Sequence, residues 1–594
     1  MIRNYFLLAF RNLKKQKIFT FINIAGLTVG ITCCLMIFLF VQNEFSFDRF
    51  HKNNKDIYRV MRAGDGKGQP VPYLSPPYAT ALENDYPDAV RKAVRVLPTN
   101  GLVSYGNTAF TEKKVYLADA GFFELFDFRL LRGNRADVLK DPGNVVLTQS
   151  AAIKYFGSED PMGKIITMDK EYQLKVTGIA EDIPANSTLD FDVVMPLSNF
   201  SAEPWFSAWN NNNLFTYVQL APGTDQDALN ASFPRFLKKY LPVTTPDRDK
   251  STLVLRPLTE IYFEEAGPWD QVRHGNRNVV YIFISIGILI LFIACINFMN
   301  LATARATERA REVGLRKVLG AVRKQLVVQF MGESFLLAII SCVLAMILLQ
   351  LLMPAYQSLL GYQLPAYWSN PFLYVFVLGV ILVVGILAGS YPALLLSSFS
   401  PIESLRGKLK LGKGGAWFRK ALVIFQFTST VLLIIGMLII GSQMDYVRGK
   451  DLGFDKEQSV VVQLDNGEIW SGRQRFKQLL ENQPGIKMVS LMSGVPGGFH
   501  DNFTFEVEGQ VTQPQFRTAF SDFEYLKTLG IKLIDGRDFS ASFPTDSAQS
   551  VIINREAAAT AGWTPREALG KRIRNLMRDS VPRTVIGVVE NFHF

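Results

Sequence analysis

An apolar run of membrane length ends at Ala302, a second begins near Leu326, and the segment between them is dense in Arg and Glu. That alternation sets the fold class. In all, five segments (18–42, 279–302, 326–353, 371–396 and 421–442) are long and apolar enough to cross a hydrocarbon core of about 30 Å as helices. The chain therefore reads as an α-helical membrane protein with about five transmembrane helices. Arg3, Arg11, Lys14, Lys15 and Lys17 precede the first segment as they would a signal peptide. Its apolar run is too long for one and no small-residue cleavage site follows, so it reads as an uncleaved anchor.

Positive charge fixes the orientation. Residues 1–17, 303–325 and 397–420 hold 18 Lys and Arg against three acidic residues, Glu308, Glu312 and Glu403. Their net charge of +15 exceeds the +10 of the whole chain, which leaves −5 elsewhere. The basic character thus belongs to cytoplasmic flanks and not to a nucleic-acid surface, and no nucleic-acid partner is expected. The layout that follows has a cytoplasmic N-terminus (1–17), external domains at 43–278 and 443–594, a short external loop at 354–370 and a cytoplasmic linker at 397–420. Cys33, Cys34, Cys295 and Cys342 all fall inside the apolar segments, so the external domains are expected to hold without disulfides.

The external regions carry short strand-like runs, Val145–Thr148, Tyr172–Ile179, Phe215–Leu220 and Thr252–Leu258, with helical stretches at Tyr78–Asn84 and Ala151–Phe156. This pattern predicts an α+β domain of more than one lobe, with an exposed hairpin tip at Gly64–Gly68. The second region repeats the first. Phe126–Gly133 aligns with Leu529–Gly536 at an offset of 403, Val145–Ala152 with Val551–Ala558 at 406, and Val176–Glu181 with Val585–Glu590 at 409. Leu82-Glu-Asn-Asp-Tyr-Pro87 is likewise echoed by Leu480-Glu-Asn-Gln-Pro484. A shared taste for strand-like apolar residues is the bland alternative, but ordered matches with a slowly growing offset disfavour it. At the last offset Phe594 falls opposite residue 185, so the second copy is expected to be incomplete and the chain a C-terminally truncated piece.

Within the basic connector, Glu308 and Glu312 alternate with Arg305, Arg309, Arg311 and Arg316, and Glu312 with Arg316 makes a favourable i,i+4 pair. Gly314 and Gly320 punctuate it, as suits a helix that breaks or lets another surface approach. It reads as a structured cytoplasmic helix placed to dock a partner protein; the plainer reading is a basic loop held inside by its charge. Residues Arg305–Ala321 (RATERAREVGLRKVLGA), Ala388–Leu394 (AGSYPAL) and Pro401–Arg406 (PIESLR) resemble the permeases of the MacB/FtsX/LolE family of ABC transporters. The resemblance extends over nearly the whole chain. It implies one MacB-like periplasmic core domain after the first membrane helix, and a coupling helix between the second and third spans that touches a separate ATPase. Its expected docking residues are Glu312, Gly314, Leu315, Arg316, Lys317, Leu319 and Gly320. Relatives with two permease halves in one chain imply two ATPase copies per full-length protein and an inner-membrane location.

No energy-converting or catalytic chemistry is legible. Gly157-Ser-Glu-Asp-Pro-Met-Gly163-Lys164-Ile165 has one residue too many for a phosphate-binding loop and Ile where a Mg²⁺-binding hydroxyl belongs. Its echo at Gly570-Lys571-Arg572 lacks the hydroxyl too, so both read as structural turns. His51, His274, His500 and His593 are scattered without metal-ligand spacing. The chain is expected to be a non-catalytic subunit that needs no cofactor, ATP being bound by its partner. Glu333 is the one acid within the third apolar run, where a carboxylate is a functional hypothesis by default. It lies about two turns past Lys324, which favours an interfacial place, capping or pairing with the basic connector. Asn297 and Asn300, near the end of the second run, suit hydrogen bonds between helices.

These features predict a permease subunit that couples a partner's ATP hydrolysis to movement of external domains, with a substrate handled outside the bilayer. The alternative is a scaffold, similar to FtsX, that activates a periplasmic hydrolase or sensor; a periplasmic adaptor or effector is a possible partner of either. A reporter fused after Lys17, Gly320 or Lys413 is expected to report cytoplasm, and one after Gly133 or Gly536 the exterior. A cytoplasmic signal at Gly133 overturns the layout.

Overall fold

A computed structural model describes residues 17–64, 69–243, 245, 248–265, 267, 270, 272–304, 313–364, 367–398, 413–464, 467–496, 498, 501–576, 578–579 and 581–593. Arg305–Glu312, Pro401–Arg406, His500 and most of the Gly64–Gly68 tip lie outside them. The chain forms two compact units, Met1–Ile435 and Gly436–Phe594.

Among the described residues, five helices are long and apolar enough to span a membrane: Lys17–Phe45, Arg277–Ala304, Arg323–Leu360, Pro371–Ser398 and Trp417–Gly449. Several run further than hydropathy alone places them. The third passes Pro354, an apparent stop, and ends at Gly361 in the left-handed region with φ +75°. The extra turns are held because Tyr356 donates its hydroxyl to the Met36 carbonyl of the first span at 3.0 Å. The first four spans share one core, with Leu27, Ile31 and Leu35 meeting Cys295, Phe298, Ala338, Cys342, Val384 and Ala388. Small residues let the helices close up, since hydrocarbon supplies no hydrophobic drive and contact has to come from packing. A Cβ on Gly30 would come within 2.9 Å of the Ala294 side chain, and one on Gly389 within 2.9 Å of Ser334. The four cysteines are free thiols in these helices.

The external domain of the first unit is a single mixed sheet of eleven strands. These are β1 (Ile57–Ala63), β2 (Tyr73–Leu74), β3 (Val90–Tyr105), β4 (Thr108–Ala118), β5 (Leu130–Arg132), β6 (Asn144–Thr148), β7 (Ile165–Met168), β8 (Tyr172–Ala180), β9 (Val193–Pro196), β10 (Leu214–Leu220) and β11 (Thr252–Pro257). Their main order is β11-β1-β10-β3-β4-β9-β6-β8-β5, with β2 beside β10 and β7 beside β3 and β8. The expected lobes resolve into three apolar clusters strung along this sheet, the largest built on Phe122, Phe123, Phe126, Phe128, Phe191, Phe215 and Tyr217. The strands and helices read from the pattern are present, except that Leu258 opens a short helix instead of ending β11.

The second unit holds β12 (Asp501–Val507), β13 (Gln515–Thr518), β14 (Leu533–Gly536), β15 (Ser550–Asn554), β16 (Arg572–Asn575) and β17 (Pro582–Val589). It repeats the first down to the register. In β6–β8, Val145 faces Val176 and Val146 faces Gly178, so one residue is bulged out; in β15–β17, Val551 faces Val585 and Ile552 faces Gly587. Thr148 caps the next helix by accepting from the Ala151 amide, and Asn554 does so from Ala557. Gly163 donates its amide to Val176 at 2.8 Å and Gly570 donates to Val585 at 2.9 Å, so both near-matches to a phosphate loop are the same structural turn. Among the described residues the second unit has no counterparts of β1, β9, β10 and β11. The residues at the β1 position, Val460, Val461 and Val462, are 86%, 57% and 57% exposed.

Gly133 and Gly536 occupy equivalent places. Each is left-handed, at φ +100° and +82°, and a Cβ would meet the Thr177 carbonyl at 2.8 Å in one and the Ile586 carbonyl at 2.3 Å in the other. Replacing either with Ala is expected to destabilise its own domain by about 1–3 kcal/mol, from left-handed strain plus overpacking. Limited proteolysis of the whole chain checks this: G133A should loosen only the first domain and G536A only the second.

Candidate functional site

The membrane helices of the first unit meet their surroundings at two built sites, one on each side. Between the second and third spans, residues 313–318 are helical. Gly320, at φ +96°, ends this helix: the Ala321 amide donates to the Arg316 carbonyl at 2.9 Å and the Gly320 amide to Lys317 at 3.0 Å. This paired closure needs a residue without a Cβ at the left-handed position, which explains Gly320 locally.

The short helix is amphipathic. Val313 packs inward with Leu326, Phe330, Ala393 and Leu396, and Gly314 is buried beside it. Leu315 and Leu319 face out at 55% and 78% exposure, joined by Val318 at 61% and Val322 at 56%. Arg316 and Lys317 turn toward the spans: Arg316 Nη1 donates to Gln329 Oε1 at 2.9 Å on the third, and Lys317 Nζ to the Ser397 carbonyl at 2.7 Å on the fourth. Burial and the nearby Arg323 guanidinium hold the Lys317 ammonium below its ordinary pKa. Of the expected docking residues, then, Leu315, Leu319 and Gly320 are presented outward, Arg316, Lys317 and Gly314 join the connector to the bundle, and Glu312 lies outside the described residues. Val318 and Val322 complete the apolar row. Glu333 is buried one turn beyond Gln329 on the same helix. Asn297 lies against the first span, its Nδ2 3.5 Å from where a Cβ on Gly26 would be, and Asn300 Nδ2 reaches Gln426 Oε1 of the fifth span at 3.5 Å.

The external site was not read from sequence at all. Where the first span ends, Asp48 adopts φ +54° and is fully buried. Its carboxylate accepts from the Thr188 amide at 3.0 Å, from the Thr188 hydroxyl at 2.6 Å and from Ser187 Oγ at 3.4 Å. Its own amide donates to the Asn186 carbonyl at 2.9 Å. Burial pushes the Asp48 carboxyl up to about 6, against the pull of the Thr188 and Ser187 bonds. One turn earlier Glu44 accepts a 2.8 Å bond from the Tyr262 hydroxyl, whose ring stacks on Phe47. Burial and that carboxylate raise the Tyr262 phenol above its usual range.

Tyr262 belongs to the segment leading into the second span. Gly275 lets this segment pass over the ring, since a Cβ there would lie 2.3 Å from Tyr262. Arg59 on β1, wholly buried, holds the same segment through Asp270 at 2.7 and 3.2 Å. Arg273 then gathers the rest: its guanidinium lies 5.5 Å from the Phe47 ring and 4.8 Å from the Tyr362 ring, and Nη1 donates to the Ala185 carbonyl at 3.0 Å. The first span, the second-span lead-in, the 184–188 loop and the loop after the third span thus meet around one aromatic and ionic cluster.

The chain matches the MacB-like periplasmic core domain over residues 20–236 and 429–594, and the FtsX-like permease C-terminal domain over 284–401. It is similar to the macrolide export ATP-binding/permease protein MacB of Bdellovibrio bacteriovorus, 24% identical over 264 residues, which are 44% of this chain and 38% of that protein. The protein of the same name from Aggregatibacter actinomycetemcomitans is 22% identical over 310 residues, covering 50% and 44%. The chain therefore spans less than half the length of these two relatives. Among solved structures, the periplasmic region of MacB from Actinobacillus actinomycetemcomitans covers 36% of this chain and 95% of its own, at 17% identity and a TM-score of 0.28.

The Asp48 joint yields a measurable expectation. Asp48→Ala removes the acceptors of three buried donors and leaves a Cβ-bearing residue left-handed, at a cost of about 2–5 kcal/mol. Asp48→Asn tolerates that backbone and keeps an acceptor, so most stability should survive. Because the folded carboxyl titrates higher than the unfolded one, its contribution is fully present at low pH and is lost as pH rises from about 4 to about 6. Thermal unfolding should show that decline in the unsubstituted protein and not in Asp48→Asn.

Proposed function

The chain belongs to the family of membrane permeases that combine MacB-like periplasmic core domains with an FtsX-like permease domain, and from that premise we propose that it works as the permease component of an ABC transporter in the inner membrane. A separate cytoplasmic ATPase docks on residues 313–322, and its hydrolysis cycle is delivered through the spans to the external domains. The observation that carries this is the short helix between the second and third spans. It exposes Leu315, Val318 and Leu319, with Val322 exposed just past its Gly320 stop, while its cations bind back into the third and fourth spans. An apolar row on a bonded-down helix suits a protein interface better than a solvated basic loop, which would turn its charges outward.

Energy transfer follows from the packing. Force on the connector reaches the third span through Gln329 and the fourth through Ser397, and the closely packed helices pass it on as a unit. The bundle core is mainly apolar, with Asn23, Gln329 and Glu333 among its buried polar groups, which favours an exported substrate or a periplasmic partner meeting the external domains over a continuous hydrophilic path through the spans. The names of the relatives support export, and this chain's own substrate is a separate question.

Leu315→Asp combined with Leu319→Asp is expected to weaken association with the ATPase at least about tenfold, since each removes an exposed anchor worth about 1–2 kcal/mol when buried. Insertion and folding of the external domains should be unchanged, and the purified protein alone should neither bind nor hydrolyse ATP. Undiminished co-purification of the ATPase with the double variant overturns the docking assignment.

A further inference from the structure

The contacts at the external joint differ in kind. Those of Asp48 with Thr188 and of Glu44 with Tyr262 are made by buried carboxylates, and separating either strands buried polar groups. Such bonds are costly to break. Arg273 is different: it is exposed, it donates one hydrogen bond to a carbonyl, and it lies over two rings. Cation–π contacts at exposed positions contribute only about 0.5–1 kcal/mol each, so this contact can open and close at low cost.

Its position gives that softness a use. The connector is bonded to the third and fourth spans at their cytoplasmic ends, and these pack closely, with Gly385 against the Phe335 ring. They emerge outside at the 361–370 loop, which carries Tyr362. Arg273 touches Tyr362 on one side and the Ala185 carbonyl on the other, and the residues that follow Ala185 grip Asp48. We propose that Arg273 is the positioning residue through which the third and fourth spans act on the external domain, a separable contact set beside the permanent grip of the first two spans. The proposal rests on the permease reading above and names the residue that carries its coupling. A rival route runs through the first span, by way of Asn370 Nδ2 to Gln42 Oε1 at 2.8 Å and Tyr356 to Met36.

The test uses the full-length protein with its ATPase in lipid nanodiscs. Spin labels at Arg129→Cys, on the external domain, and Leu359→Cys, at the outer end of the third span, report a distance distribution with and without ATP. Arg273→Ala and Tyr362→Leu should each shift the ATP-dependent population ratio by about 2- to 30-fold, and the double variant no further than either alone. Tyr362→Phe, which keeps the ring, should respond like the unsubstituted protein, and Asn370→Ala should change the ratio little. ATPase co-purification and thermal stability should be unaltered in all, which separates coupling from folding. A full response in Arg273→Ala, or additive losses in the double variant, overturns the assignment of Arg273 alone. Loss of response in Asn370→Ala with Arg273→Ala intact moves the route to the first span. An ATP-insensitive distance in the unsubstituted protein overturns the permease reading and this proposal with it.

Discussion

The carboxylate of Asp48 is the constraint on which the rest of the first unit depends. A membrane helix ending at a folded domain leaves its last carbonyls unsatisfied and its direction free. Here Ser46 donates its amide and hydroxyl to the Asn43 carbonyl, and the chain then turns through left-handed Asp48, whose carboxylate fixes the direction by accepting from Thr188 twice and from Ser187. That turn aims Phe47 at Tyr262 and sets Glu44 under its hydroxyl. The second span then enters beside the first, because its lead-in is held by Tyr262 and by the Arg59–Asp270 pair. Without the turn, neither the sheet nor the helix pair has a fixed direction relative to the other.

The joint gathers two buried carboxylates at the outer end of the first span, while Glu333 is buried within the third. A buried carboxylate is costly unless hydrogen bonds answer it, and here Asp48 accepts three and Glu44 one. The buried carboxylates Glu44 and Asp48 sit at the end of the first span, and the cations that answer the cytoplasmic connector sit at the opposite boundary. Between them the helices rely on close approach at Gly30, Gly385 and Gly389. A bundle built that way passes on displacement by shape, since packed interiors yield little to compression.

Much of this was legible in the sequence, and what was not has a common cause. Spans announce themselves by length and hydropathy, and strands such as β6, β8 and β10 by their β-branched and aromatic runs. The repeat emerged from short ordered alignments, and Gly178 and Gly587 share the bulge: a Cβ on Gly178 would meet the Val138 side chain at 2.9 Å, and one on Gly587 the Arg537 carbonyl at 2.5 Å. The β3–β4 hairpin was missed although Gly106-Asn107 is a two-residue turn signal, with Gly106 at φ +57°. The external joint was hidden because its partners are far apart in the chain, with 140 residues between Asp48 and Thr188 and 218 between Glu44 and Tyr262. No periodicity reports such pairs. Two acids closing an apolar run, and an Arg within the strand β1, were the only local hints.

In the connector, the structure shows which of the residues expected at the docking surface face outward and which turn toward the spans. A count of charges makes Arg316 and Lys317 look like the docking surface, because charged residues on a short loop are expected in solvent. Their long side chains instead reach back to Gln329 and Ser397, and their apolar neighbours take the exposed face. The inversion follows from geometry. A helix closed by Gly320 immediately before the third span has one face against the bundle, and the hydrogen-bond acceptors at the helix ends lie on that side. Cations satisfy those acceptors, and leucine and valine are left outward. The exposed apolar residues Leu315, Val318 and Leu319 are thus the ones the bundle leaves uncovered.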